Sequence, residues 1–192
     1  MTNITLRPAV KEDSATIAQL FLISSDGLAE YIWTQLAEPG EAVIDVGARR
    51  YARDGVFFSY QHCLMAEAGG VIVGMFHCFP MEEDPDAAPK SDPVLRPYSE
   101  LEDYGSLYIS SVAVIPDHRG KGIGSQLLAA AVERAKKMDL PRLSLICFER
   151  NEDALRLYLR LGYTEIDRRT VVPHPTLHYA DGGAILLALN VD

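Results

Sequence analysis

The stretch Arg119-Gly120-Lys121-Gly122-Ile123-Gly124 stands between two runs of different period. Before it, Ser106-Leu-Tyr-Ile-Ser-Ser-Val-Ala-Val-Ile115 is apolar and β-branched, as a buried strand is. After it, Ile123, Leu127, Leu128, Ala131, Ala135 and Met138 recur at helical spacing and read as one inward face. The glycines therefore fall where a strand hands over to a helix N-terminus. The first amides of a helix have no intrahelical acceptor, and the helix dipole favours negative charge there. Glycine adds access to positive φ and close approach of backbone to ligand. With Arg119 and Lys121 beside them, these groups point to phosphate.

Two common phosphate motifs do not fit. The P-loop needs Ser or Thr after its Gly-Lys pair, and Lys121 is followed by Gly122. The dinucleotide fingerprint Gly-x-Gly-x-x-Gly, counted from Gly120, meets Ser125 at its third glycine. What stands is Arg-x-x-Gly-x-Gly after a strand that ends Val112-Ala113-Val114-Ile115-Pro116.

Length and composition bound the rest. A chain of 192 residues suits one domain, here 1–192 with a loop insertion. The net charge of −9 argues against non-specific nucleic-acid binding. No apolar run reaches the roughly 18–20 residues that cross a bilayer. The first residues lack the basic-then-apolar pattern of a secretion signal. Cys63, Cys78 and Cys147 share no metal-type spacing and sit in apolar runs, so they read as buried thiols of a cytoplasmic protein.

Along the chain, Ile4–Pro8 reads as a first strand. A helix follows, capped by Asp13 or Ser14, with Ile17, Leu20, Phe21, Leu28, Tyr31 and Ile32 inward and a kink or break near Ser24–Gly27. A second helix spans about Glu41 to Arg53, with Val43, Val46 and Tyr51 inward. Cys63–Gly69 and Val71–Phe79 form a hairpin across Gly69-Gly70, and Gly74 marks a bulge or a close backbone approach. From Pro80 to Gly105 the periodicity vanishes. Prolines 80, 85, 89, 93 and 97 interrupt it, and eight carboxylates face only Lys90 and Arg96. Such a loop is a solvated connection or a lid. Arg142–Phe148 is a further strand, apolar enough to be central.

A second diagnostic stretch follows, Asn151-Glu-Asp-Ala-Leu-Arg-Leu-Tyr158-Leu-Arg-Leu-Gly162-Tyr163. Asn151 suits a helix N-cap, and Glu152 and Asp153 suit the first turn. Ala154, Leu157, Tyr158 and Leu161 share a face, and Gly162 can stop the helix. Strands at about Tyr163–Val172 and Ala184–Val191 complete the chain, with a loop at Pro173–Tyr179 between them.

Taken in order, strand, Arg-x-x-Gly-x-Gly, helix, strand, Asn-x-x-Ala-x-x-x-Tyr and Leu-Gly-Tyr resemble the GNAT (Gcn5-related) N-acetyltransferases. The resemblance covers nearly the whole chain and is tightest from Ser110 to Tyr163. It implies an α/β (α+β) fold: a mixed, mostly antiparallel seven-stranded sheet with helices on both faces, splayed between strands 4 and 5. It implies acetyl-CoA as co-substrate, with no metal, and a primary amine of a small molecule or peptide as acceptor. By resemblance, backbone groups of Val112, Ala113 and Val114 pair with the pantetheine and hold the thioester carbonyl. Amides of Arg119, Gly120, Lys121, Gly122, Ile123, Gly124 and Ser125 hold the pyrophosphate. Asn151 and Tyr158 match late-helix positions near the thioester, and Tyr158 matches the general acid for the leaving thiolate.

The base does not carry over. The positions where relatives place a glutamate are Tyr108, Ser110 and Ile146 here, and none is a carboxylate. Glu67, Glu102, Asp103 and Glu149 are substitutes to inspect, with His77 and His118 behind them and His174 and His178 as acceptor-pocket neighbours. The missing carboxylate leaves open a second reading, a non-catalytic acyl-CoA-binding sensor. The acidic bias of Pro80–Gly105 suggests a cationic acceptor guided by Glu100, Glu102 and Asp103. The resemblance also suggests a homodimer through the late strands.

Overall fold

The computed structural model describes residues 3–83 and 91–191. Seven strands form one sheet: β1 (Ile4–Pro8), β2 (Cys63–Ala68), β3 (Val71–Pro80), β4 (Leu107–Val114), β5 (Arg142–Phe148), β6 (Thr164–Thr170) and β7 (Gly183–Asn190). Their order is β1-β2-β3-β4-β5-β7-β6. β4 and β5 run parallel, whereas β1–β2, β2–β3, β5–β7 and β6–β7 are antiparallel. This is the mixed, mostly antiparallel sheet expected above. By compactness the chain divides into two units, Met1–Cys78 with Ser111–Ala130, and Phe79–Ser110 with Ala131–Asp192.

The first unit packs α1 (Ser14–Ser24), α2 (Leu28–Leu36) and α3 (Val43–Tyr51) with β1 and β2 around Ile17, Leu20, Trp33, Val46, Tyr51, Met65 and Met75. The break between α1 and α2 is real: Asp26 and Gly27 have φ of 49° and 89°. It resets the helical phase, so α2 buries Ala29 and Trp33, while Leu28, Tyr31 and Ile32 are only half-buried. Gly47 is what lets α3 approach, since a Cβ there would lie 2.4 Å from the Trp33 ring. The hairpin turn has Gly69 at φ 60° and Gly70 at φ 82°, the handedness that matches strand twist.

Asp13 stands at the N-cap of α1 as expected, but its carboxylate goes to Arg7 rather than to a helix amide. Arg7 donates from Nη1 to Asp13 Oδ2 at 2.7 Å and from Nε to Glu67 Oε1 at 2.7 Å. The Arg7 guanidinium holds the Asp13 carboxyl below its usual range, helped by the Val10 amide. With the folded pKa below the unfolded one, this pairing stabilises the fold above the ordinary carboxylate range and is lost as pH falls through the lowered value.

The second unit holds α4 (Arg96–Ser99) and α6 (Glu152–Arg160) with β5, β6 and β7. Leu101, Phe148, Val171, Ala184 and Leu186 form its core, with Tyr98, Ile146 and Tyr179 packed against them. β7 lies between β5 and β6 and pairs with β5 along Arg142–Phe148. The Pro80–Gly105 segment is not structureless where it is described. Asp92 Oδ1 accepts from the amides of Val94 and Leu95 and sets up α4. Val94 and Leu101 are buried. Met81 and Ser106 close the segment, Met81 N donating to Ser106 O at 2.9 Å. Asp84, Pro85, Asp86, Pro89 and Lys90 of this segment lie outside the described residues.

α5 (Ile123–Lys137) buries Ile123, Leu127, Leu128, Ala131 and Ala135 as its spacing demands. Met138 does not join them. The helix ends at Lys137, the chain turns at Asp139 with φ 55°, and Met138 is 41 % exposed. Cys63, Cys78 and Cys147 are buried and form no disulfide. Among the described residues no helix is long and apolar enough to cross a membrane.

Candidate functional site

In the first unit, the end of β4 and the turn before α5 carry the backbone groups that matter. Ile115 N donates to Val73 O at 2.9 Å, and Ala113 O faces the same neighbour, β3. Strand alternation then turns the amides of Val112 and Val114 to the opposite edge. The parallel register with β5 runs only over Leu107–Ile109, so these two residues lie outside it. Arg119 Nε caps this edge by donating to Val114 O at 3.1 Å.

The turn is built by two glycines. Gly120 has φ 71° and Gly122 φ 79°, a left-handed conformation that side chains resist. A Cβ on either would meet nothing within 4 Å, so the outer face of the turn is open. Gly124 differs: it sits inside α5 and shows no positive φ, so the conformational argument applies to Gly120 and Gly122 alone. The amides of Ile123, Gly124 and Ser125 open the helix and have no intrahelical acceptor. Lys121 Nζ donates to Asp117 O at 2.8 Å, which keeps its ammonium at the turn. Helix-opening amides, the helix dipole and two cations are thus found at this open turn, a set of groups that suits an anion.

In the second unit, Asn151 caps α6 by accepting from Ala154 N at 3.3 Å. Tyr158 lies half-buried on the face that Ala154, Leu157 and Leu161 share. Its ring meets that of Tyr163 edge-on, with centroids 5.6 Å apart, and Tyr163 N donates to Tyr158 O. Gly162, at φ 93°, makes that return possible. The Leu-Gly-Tyr run therefore both ends α6 and braces the Tyr158 ring.

With this geometry in hand, comparison with known proteins is decisive. Residues 29–163, most of the chain, match the model of the Acetyltransferase (GNAT) family. The chain belongs to the GNAT acetyltransferase family. It is similar to a mycothiol acetyltransferase of Acidimicrobium ferrooxidans, 34% identical over 52% of this chain and 27% of that one. It is also similar to an aminoalkylphosphonate N-acetyltransferase of Salmonella typhimurium, 42% identical over 30% of this chain and 37% of that one. The GNAT chain thus spans about a third of the length of the curated relatives it matches. Among solved structures, yncA from Salmonella typhimurium, a protein determined with acetyl-CoA, superposes with a TM-score of 0.63 at 19% identity, covering 100% of this chain and 95% of that one.

In this GNAT chain the carboxylates considered as bases are all held by internal donors. Glu67 takes Arg7. Asp103 is 6% exposed and bound by the fork of Arg142. Glu102 accepts from the Tyr104 hydroxyl. Glu149 accepts from Gly183 N at 2.9 Å and from Arg168 Nη1 at 3.2 Å. Burial and the Glu102 charge push the Tyr108 hydroxyl well up, so it stays protonated. His77 is fully buried, its Nε2 bonded to Phe57 O at 2.8 Å. His174 Nδ1 is bonded to Thr176. His118 ends a short 3-10 turn beside the glycines, and the His178 ring meets that of Tyr179 edge-on. Among the described residues no group of three or more His, Cys, Asp or Glu could hold a metal.

Two carboxylates of the acidic segment find partners elsewhere in the chain. Glu100 pairs with Arg169 at 3.0 Å, and Asp103 pairs with Arg142. Two of the three carboxylates thought to guide a cation are therefore spent on ion pairs within their own unit.

Proposed function

We propose that this chain transfers an acetyl group from acetyl-CoA to a primary amine of a small molecule or peptide. The observation that carries the reading is the open turn at Gly120 and Gly122 at the head of α5. Its amides and cations suit the CoA pyrophosphate, and the outward amides of Val112 and Val114 suit the pantetheine and the thioester carbonyl. The acetyl-CoA in the yncA structure supports the same donor.

The chemistry asks little of side chains. The amine nitrogen bonds to the thioester carbon, an oxyanion develops, and the C–S bond breaks. A backbone amide near Val114 stabilises the oxyanion. Tyr158 gives its proton to the leaving sulfur, and the surplus proton of the amine leaves through water. No side-chain base is invoked, in keeping with the engaged state of Glu67, Glu102, Asp103 and Glu149. Asn151 holds the N-terminus of α6 and so orients the helix that carries Tyr158.

The test is direct. CoA at about 100 times its Kd stabilises by about 2.7 kcal/mol, roughly 5–10 °C for a chain of this size. Gly122→Val is expected to remove most of that shift, because a β-branched residue cannot hold φ 79° at low cost. Equal CoA stabilisation in parent and variant refutes the loop assignment. Release of free thiol from acetyl-CoA across an amine panel then separates catalysis from sensing. Binding with no turnover on any amine favours the non-catalytic module.

We also infer a homodimer through the edge strand β6, where Ile166 is 50 % exposed at a register shift. A monomeric mass in solution overturns this.

A further inference from the structure

We infer that the hydroxyl pair Ser24–Ser111 positions the donor strand: it fixes β4 against the end of α1, so that the amides of Val112 and Val114 meet the thioester. The inference rests on the acetyl-transfer reading for the thioester, while the pair itself is a contact within the first unit.

Alternation along β4 buries Leu107, Ile109, Ser111 and Ala113. Three of them are apolar, as a packed stripe requires. Ser111 is not, yet it is only 5% exposed. A buried hydroxyl is costly unless it is bonded. Ser111 Oγ lies 2.7 Å from Ser24 Oγ. Ser24 Oγ in turn donates to Phe21 O at 3.2 Å, which leaves Ser111 as the donor across the pair. Ser24 is the last residue of α1, just ahead of the left-handed Asp26 and Gly27. The helix itself is anchored, since Ile17, Ala18 and Leu20 are all buried. The bond therefore runs from a packed helix end to the face of a strand.

The place of the bond gives it a task. The parallel register of β4 with β5 ends at Ile109. Ser111 lies beyond that point and immediately precedes Val112. There the strand is tied to the sheet along its β3 edge, as the bond from Ile115 N to Val73 O shows. A strand held on one edge can pivot about it, and a hydrogen bond from its face removes that freedom. Misplacing a reacting group by about 1 Å costs about 10²-fold in rate. The hydroxyl pair thus sets an oxyanion amide that it does not touch, which makes Ser24 and Ser111 positioning residues. The second unit holds a like pair as a control. Ser106 Oγ and Ser144 Oγ lie 2.6 Å apart, Ser106 Oγ donates to Asp103 O at 2.7 Å, and both residues are fully buried. Ser144 sits on β5 where the sheet pairs it on both sides, with Tyr108 and with Ala188, so that pair has no strand left to steady. Ser111→Ala and Ser144→Ala each delete the donor of a pair and leave the other hydroxyl on its carbonyl.

Two readouts test this on the full chain. In thiol release, Ser111→Ala is expected to lower kcat about tenfold while KM for acetyl-CoA and the CoA-dependent thermal shift stay near the parent's. Ser24→Ala is expected to do the same from α1, without altering the strand. The double variant falls no further than the worse single one, because one bond is lost in each case. Ser111→Cys keeps a weak donor in a similar volume and recovers part of the rate. Ser144→Ala lowers the melting temperature but keeps the parent's kcat. The second readout needs no turnover. Infrared spectra are recorded for bound acetyl-CoA labelled with ¹³C at the thioester carbonyl. In the parent the carbonyl band is expected below that of free acetyl-CoA, since an amide donates to the oxygen. Ser24→Ala and Ser111→Ala return it towards the free value, and Ser144→Ala does not. Should Ser111→Ala fold poorly, Ser24→Ala alone decides. Parent-like kcat and band position in Ser24→Ala, or an equal fall of kcat in Ser144→Ala, overturns the inference. A lowered band that both variants relax, with no thiol release on any amine, overturns the transfer reading and supports the positioning role. A parent band at the free value overturns the thioester assignment and the inference together.

Discussion

Tyr158→Phe is expected to lower kcat about 10²–10⁴-fold while leaving CoA affinity close to that of the parent. The change removes one oxygen. The Phe ring keeps the edge-on contact with Tyr163, and the backbone bond between the two residues is untouched. Helix α6 and its Asn151 cap therefore persist, so a loss of rate is a loss of proton donation rather than of structure. The pH profile supplies a second readout. If the tyrosine proton goes to sulfur, the alkaline decline of kcat in the parent reports its loss, and that limb vanishes in the variant. Acetyl thioesters with a more acidic leaving thiol are expected to recover part of the rate, since their thiolate needs the proton less. A variant within twofold of the parent on every amine that the parent accepts sinks the assignment of Tyr158 as the acid.

Gly74→Val is expected to destabilise by at least about 3 kcal/mol, lowering Tm by about 6–12 °C, or to leave the protein insoluble. A Cβ at this position would lie 2.6 Å from the carbonyl oxygen of Ala113. That oxygen is backbone in a strand whose neighbour Ile115 is tied to Val73, so it cannot swing aside as a side-chain tip would. Val114 Cγ2 at 3.4 Å and Leu127 Cδ1 at 3.5 Å close the remaining directions. The site also lies at the bulge where the β2–β3 register shifts between Ala66 and Glu67. Relief would require β3 to part from the very strand whose outward amides are proposed to bind the donor, so donor affinity is expected to fall together with stability. Gly55→Val is the comparison: Gly55 has φ 68° but open space around it, so it carries the strain without the collision. A Gly74→Val variant no less stable than Gly55→Val rules out the backbone contact as the reason for glycine here.

Local chemistry was enough to place most elements. Periodicity located the seven strands and the helices α1, α3, α5 and α6, because each buries a stripe whose spacing is written in its own residues. Glycines 69, 120, 122 and 162 announced turns that the structure builds with positive φ. Where these signals were local they held: Asn151 caps α6 as its type suggests.

What failed was local reading of groups whose partners are distant in sequence. Asp13 does sit at the cap of α1, but its carboxylate is taken by Arg7. Asp103 looked like part of an acidic lure and is bound by Arg142, 39 positions away. α4 went unseen because four residues are too few to show a period, and its start is set by the Asp92 side chain. Nor does anything in the run Arg49-Arg50-Tyr51-Ala52-Arg53 distinguish the arginine that finds Glu41 from the one that finds only an aromatic ring. The sequence alone determined the strands, the glycine turn and the family pattern, since these depend on each residue's own backbone preference and spacing. The tertiary structure alone decided which charges are spent on one another and which, like Arg50, meet only an aromatic ring, since pairing depends on distances that only folding sets.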